Sequence, residues 1–425
     1  MSNLKNKLVK DICKILDKLK SILIIIFPID VFKKLKAKMI ELSFIKDAKK
    51  IAYIKGAYPF GVNLIGNIKS QTGQGEECRL IAGAFSESTL PFLIIDAKIG
   101  IPFNHNDNKW DRKIVQTPKF STNVFHINPP ELPSLKQSLP EKTWDKRYNI
   151  GFWNCELTEI PDEWVSAFSL VDEIWASSHF CVEAIEKKSP VPVTFVPYGL
   201  SVASNPKFDR SYFNLPKDKF LFLTMFDSNS IIQRENPIGS IKAFKNAFLK
   251  EDLSVGIIIK INKPTEEILD TINAELEGYN NIYIIKNTLT KQEVNSLINI
   301  ADVFVSLHKS EGFGLAIAEA MLLKTPVIAS YWSANSDFMS VQTACCIDSS
   351  LVKIDKDYSM YKPGQLWANP DIIQASVFMK ILKADSHYRK QLCDNAYEFM
   401  TSNYSIQKSA EIIKKRIYEI NSNNS

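Results

Sequence analysis

Glu311 and Glu319 stand eight positions apart and bracket the run Gly312-Phe313-Gly314-Leu315, just beyond the apolar stretch Val303–Leu307. Glycines let backbone approach a ligand closely, and the N–H groups at a helix start favour an anion, so the turn suits a diphosphate. One carboxylate at the mouth and one on the helix could grip two separate polyol groups with the phosphates between them. The plainer reading is a buried strand–helix corner whose glutamates only cap and solvate.

Three further places could contribute. Thr72-Gly73-Gln74-Gly75-Glu76-Glu77 follows the apolar Gly61–Gly66, again a strand, a glycine loop and a helix. The nicotinamide fingerprint needs a third glycine opening that helix, and Cys78 occupies the position. Arg234, shortly after Phe226-Asp227-Ser228-Asn229-Ser230, and Lys260, at the end of Val255–Ile261, offer cations for a leaving diphosphate. For Lys260 a solvated strand end is nearly as good a reading. Glu156 closes the stretch Tyr148-Asn149-Ile150-Gly151-Phe152-Trp153-Asn154-Cys155 and puts a carboxylate beyond an apolar strand, while Trp153 and Trp164 read as packing.

Apolar strands alternating with longer helical patterns position these residues, which predicts parallel sheets covered by helices. The first series has strands at Gly61–Gly66, Pro91–Asp96, Asn123–Ile127, Tyr148–Trp153, Glu173–Ser177 and Thr194–Pro197, with helices at Glu76–Ser86, Pro161–Ser169 and Cys181–Lys187. A polar stretch, Ser201–Asp218, precedes a second series. Its strands are Phe220–Phe226, Val255–Ile261, Asn281–Ile285, Val303–Leu307, Pro326–Ala329 and Ala344–Ile347. Its helices are Pro237–Phe248, Thr265–Glu277, Lys291–Ile300 and Leu315–Lys324. The expected domains are a basic segment 1–50, a first Rossmann-like domain 51–205, a second at 219–400, and a terminal helix in 401–425 that packs back on the first.

At 425 residues one core is too few, and 45% apolar with 23% charged residues is a globular balance. Seven scattered cysteines and five dispersed histidines show neither disulfide nor metal-ligand spacing. The expected compartment is therefore the reducing cytosol, with no metal in the site. Net charge is +5, and residues 1–50 alone hold thirteen lysines against five acids. So local an excess argues against a nucleic-acid partner. Around the apolar run Ile22–Phe27 it suits a basic amphipathic helix on an anionic membrane surface. Equally, it suits a helix covering the first domain with its lysines in water.

The block Val303–Met321 resembles the E-x7-E signature of retaining GT-B glycosyltransferases, particularly the large family 4. Pro326-Val327-Ile328-Ala329 and Asn335-Ser336-Asp337-Phe338-Met339 are similar to that family's next strand and sugar-contacting loop. Glu156, Pro161, Trp164 and Trp175-Ala176-Ser177-Ser178 resemble a subgroup of bacterial surface polysaccharide assembly. The likeness runs over about residues 60–420 and implies an α/β GT-B fold, two Rossmann-like domains whose parallel sheets face across a cleft. It implies that Glu311 binds donor-sugar hydroxyls and that Glu319 holds the ribose. Gly312, Phe313, Gly314 and Leu315 would meet sugar and diphosphate, and Gly73 and Gly75 would cover the phosphate. Arg234 and Lys260 would neutralise the diphosphate, and Glu156 would face sugar or acceptor. No cofactor is implied; the donor is a nucleotide-diphosphate sugar, and the acceptor is a saccharide or a lipid-linked one. Two positions depart from the pattern, Asn229 where many relatives have Arg and Glu235 where they have Lys. Glu235 keeps open an inactive donor-binding subunit that recruits a partner to the membrane, and the shared fold and donor keep open a nucleotide-sugar epimerase.

Overall fold

The computed structural model describes residues 50–99, 107–228, 230–358 and 360–423. The basic segment and its membrane or covering role lie outside them, apart from Lys50, as does Asn229. Six parallel strands form the first sheet: β1 (Val62–Gly66), β2 (Phe92–Asp96), β3 (Thr122–His126), β4 (Tyr148–Phe152), β5 (Glu173–Ala176) and β6 (Val193–Phe195). Their order is β2-β1-β3-β4-β5-β6. Around them run α1 (Gly73–Glu87), α2 (Leu132–Ser138) and α3 (His179–Glu186).

The second sheet holds β7 (Phe220–Asp227), β8 (Val255–Asn262), β9 (Ile282–Ile285), β10 (Val303–Ser306), β11 (Val327–Ser330) and β12 (Cys345–Ile347), ordered β12-β11-β10-β7-β8-β9. Its helices are α4 (Ile232–Glu235), α5 (Pro237–Ala247), α6 (Glu266–Glu275), α7 (Lys291–Ile300) and α8 (Leu315–Leu322). An antiparallel hairpin follows, β13 (Ser349–Lys353) with β14 (Leu366–Pro370), then α9 (Ile372–Ala384), α10 (Ser386–Asn403) and α11 (Ile406–Asn423).

Strands covered on both faces should be apolar throughout, and β8, Val-Gly-Ile-Ile-Ile-Lys-Ile-Asn, is buried along nearly its whole length. In the first sheet three buried asparagines lie side by side. Asn63 Nδ2 donates to Asn123 Oδ1 and Asn123 Nδ2 to Asn149 Oδ1, both at 2.8 Å. Each is the second residue of its strand, and a slip of one residue would bury unpaired amides, so the ladder holds β1, β3 and β4 in register.

Several elements differ from expectation. Asp162–Leu170 is a 3₁₀ helix, not an α-helix. Of its four buried residues, Trp164, Ala167 and Leu170 recur at a spacing of three, the period of 3₁₀ geometry, and Phe168 is the fourth. The hairpin, α9 and α10 occupy a stretch in which the sequence reading placed no element. α9 has apolar residues on its exposed side too (Ile373, Val377, Ile381), which hides its period. The final helix crosses back to the first sheet. Arg416 grips the fully buried Glu173 with Nε and a terminal nitrogen, each at 2.9 Å, and Ser409 Oγ donates to Pro197 O at 2.8 Å. Among the described residues no helix is long and apolar enough to cross a membrane.

Candidate active site in the cleft between the two sheets

In open parallel sheets, ligands bind beyond the carboxyl ends of the strands where the order reverses, here between β7 and β10. Past β7 the chain makes the short α4, and Asn236 takes the left-handed conformation (φ 52°) that ends it. Asn236 then caps α5, accepting from Gly239 N at 3.2 Å, and donates to Leu307 O at 2.7 Å. A side chain at 239 would collide with that cap, a built Cβ lying 2.3 Å from Asn236 Nδ2. This turn fixes Arg234, whose buried guanidinium donates to Ser310 O at 2.6 Å and Ser230 Oγ at 2.8 Å. It also pairs with Glu235 and, at 3.4 Å, with Glu311 Oε1.

β10 leads into the glycine turn. Gly314 has φ +87° and starts α8, and no side chain caps that helix. The first-turn N–H groups therefore face the cleft without a built-in acceptor, which is the arrangement that attracts an anion. Glu311 N donates to Ser333 Oγ at 2.8 Å, and its carboxylate lines the cleft. Glu319 is buried on α8 and pairs with Lys291, the first residue of α7.

The first half supplies the facing wall. Asn154 Nδ2 donates to Glu77 Oε2 at 3.1 Å and to Tyr198 Oη at 2.9 Å; that hydroxyl lies 3.1 Å from His126 Nε2. Several bonds sew the glycine turn to this wall. Gly312 O accepts from Ser178 Oγ at 3.2 Å, the same hydroxyl that caps α3. Glu156 O accepts from Ser310 Oγ, and its carboxylate accepts from the Tyr361 hydroxyl. His179 N donates to Asp337 Oδ2 at 2.8 Å.

The cleft has a volume of about 860 Å³. It gathers Glu156, Arg234, Lys260, Glu311, Gly312, Phe313, Gly314, Leu315, Glu319 and Gly73. Gly75 stands outside this set. A Cβ there would sit 2.1 Å from Ser70 O, so its glycine is required by close packing of α1 against the loop rather than by an open ligand surface. Trp153 and Trp164 are buried core residues. Glu77, His126, Lys291 and Tyr361 also line the cleft, and the sequence reading gave none of them a role of its own. None belongs to a motif of its own, and each arrives from a separate segment; only Glu77, inside the glycine loop, carried a signal.

Burial and carboxylate neighbours set the charge states. Glu311 is pushed up to about 8 by burial, with Arg234 opposing and Glu235 and Glu156 adding to the rise. Glu77 rises to about 8 from burial and then from Glu156. Burial works against the Arg234 cation, but Glu235, Glu156 and Glu311 hold it firmly protonated. Burial lowers Lys260 to about 8, with Asp227 opposing. His308, fully buried under the turn, is driven down to about 3 by burial and then by Arg234, so it is neutral.

Residues 208–339 match the family model of glycosyl transferases group 1. The match covers the turn, both glutamates and Arg234. A search of curated proteins finds no match. Among solved structures, HepE of Anabaena in complex with UDP and glucose superposes with a TM-score of 0.62 at 10% identity, over 84% of this chain and 100% of that one. Sucrose-phosphate synthase from Thermosynechococcus elongatus gives 0.62 at 12% identity, over 86% and 100%. TarM of S. aureus, in a complex containing UDP, gives 0.52 at 14% identity, over 70% of this chain and 55% of that one. This chain thus spans about half the length of TarM. Identities this low establish a shared fold. That fold is GT-B, two parallel six-stranded sheets with interleaved helices.

Proposed function

We propose that the chain is a retaining glycosyltransferase of the family 4 type, moving a hexosyl group from a nucleotide-diphosphate donor to a saccharide or lipid-linked acceptor. The observation that carries this reading is the uncapped start of α8, flanked by Glu311 and Glu319 and opposite Arg234, at the strand-order reversal of the second sheet. The group 1 match over the same residues supports it, as do neighbours whose complexes contain UDP. In this reading the diphosphate lies across the N-terminus of α8, Glu319 exchanges Lys291 for the ribose hydroxyls, and Glu311 holds the sugar.

Departure of the diphosphate builds negative charge on its β-phosphate oxygen. Arg234, Lys260 and the α8 N–H groups are aimed at that charge before it forms, which lowers the barrier without reorganisation. The acceptor hydroxyl attacks from the face the leaving group vacates and gives its proton to the departing phosphate oxygen. The C–O bond to the acceptor forms as the C–O bond to phosphate breaks, and configuration is retained. The donor is used without a cofactor or metal. Surface polysaccharide assembly from the cytoplasmic side, with residues 1–50 docked on an anionic membrane, is the setting that the sequence suggests.

A specific observation favours one other reading, an inactive donor-binding subunit: Glu235 occupies Arg234, and Lys291 occupies Glu319. The deciding experiment is a thermal-shift panel with UDP-, GDP-, dTDP- and ADP-sugars, followed by donor hydrolysis and transfer in EDTA. A stabilising sugar nucleotide with turnover supports the transferase, and stabilisation without turnover supports the subunit. Recovery of an epimerised donor instead would move the assignment to an epimerase. In an active chain, Glu311→Ala should lower turnover far more than it lowers nucleoside diphosphate affinity. Equal losses would take Glu311 off the sugar.

A further inference from the structure

The hairpin of β13 and β14 belongs to the second half of the chain, yet three of its side chains are buried among those of the first. Ile354, Tyr361 and Trp367 join the apolar cluster that contains Trp153, Cys155, Leu157 and Trp164. Tyr361 is only 3% exposed. Its hydroxyl donates to Glu156 Oε2 at the cleft surface, and Tyr358 and Met360 line the cleft beside it. The second strand of the same hairpin is tied to the approach to the glycine turn. Ala368 N donates to Lys309 O at 2.8 Å, and the Lys309 ammonium lies 4.9 Å from the centre of the Trp367 ring. One hairpin therefore touches Glu156 with its loop and the residue two before Glu311 with its second strand.

A glutamate at a cleft wall turns about three side-chain bonds, and a hydrogen bond from a rigid, buried phenol selects one of its orientations. Burial, and then the neighbouring Glu156, hold the Tyr361 phenol protonated well above the ordinary tyrosine range, so it stays a donor at any working pH. We propose that Tyr361 is a positioning residue, which fixes the Glu156 carboxylate against the transferred sugar and couples its place to the turn that carries Glu311. This rests on the glycosyl-transfer reading above.

Tyr361→Phe keeps the buried ring and removes only the hydroxyl. With whichever of UDP-glucose, GDP-mannose, dTDP-rhamnose or ADP-glucose the wild-type chain cleaves, kcat should fall roughly 10- to 100-fold while donor KM stays within about twofold. Glu156→Gln should lose a similar factor. The double variant should be no more than about twofold worse than Glu156→Gln alone, because the two side chains act as a unit. Losses that multiply, or a Tyr361→Phe enzyme with wild-type kcat, overturn the proposal. Should the phenylalanine variant not fold, Tyr361→His retains a donor in the same wall and is expected to keep at least about a tenth of wild-type kcat; a folded but inactive histidine variant also overturns it. A wild-type chain without donor hydrolysis or transfer defeats the glycosyl-transfer reading and this inference with it. An active wild type with an unaffected Tyr361→Phe defeats the inference alone.

Discussion

Both halves of the molecule carry a strand, a glycine-bearing turn and a helix facing the same cleft, and they differ in what each helix start has already bound. In the first, Thr72 caps α1: Gly75 N donates to its Oγ1 at 3.2 Å and Glu76 N to its carbonyl at 3.0 Å. Arg79 folds back on the loop, donating to Ser70 O at 2.7 Å and Ile68 O at 2.9 Å and pairing with Glu76. That turn already supplies acceptors for two of its own N–H groups. In the second, Gly314 offers no cap, and the helix start of α8 opens to the cleft between two carboxylates. Two turns of similar composition thus differ in what their helix starts already hold, and the difference is the capping side chain rather than the glycines.

The largest effect expected from this contrast falls on the second turn. Glu319→Ala should weaken nucleotide-sugar binding by about 1.5–3 kcal/mol, the worth of hydrogen bonds to a charged acceptor. Calorimetry that finds unchanged affinity would remove Glu319 from the ribose. For the first turn the expectation reverses. Gly75→Ala pushes a methyl into Ser70 O and should lower stability by about 1–3 kcal/mol, with nucleoside diphosphate affinity unchanged within about threefold. A large loss of affinity at constant melting temperature would make the first turn a phosphate site after all.

The smallest effect concerns charge. The first half faces the cleft with Glu77, whose carboxyl keeps its proton up to about pH 8 against an ordinary 4.5. The folded chain binds that proton more tightly than the unfolded chain throughout this window, so the group costs stability as pH rises from about 4.5 to 8. Glu77→Gln should remove the cost, and its melting temperature should gain on wild type by roughly 3 °C between pH 5 and pH 8. Parallel curves across that range would mean that Glu77 is ionised in the cleft.

Local pattern made much of this legible. The strands of both sheets show as apolar runs, and Val303–Met321 shows as strand, turn and helix because buried parallel strands and helix starts leave short-range signals. The same runs do not state strand order, so the reversal between β7 and β10 that selects the second turn is invisible in them. Gly75 shows why a glycine loop misleads. Glycine marks close approach, and only the fold reveals that a group packed against Gly75 is Ser70 O.

The sequence by itself determined two parallel sheets, a glycine turn with Glu311 and Glu319, and an arginine that meets them in the cleft. These depend on residues close together in the chain, where spacing maps directly onto geometry. Only the tertiary structure decided which side chains face that turn. Glu77, His126, Lys291 and Tyr361 come from four separate segments, and Tyr361 reaches Glu156 across 205 positions of chain. No periodicity records such a meeting, because it is fixed by how the hairpin of one half packs into the core of the other.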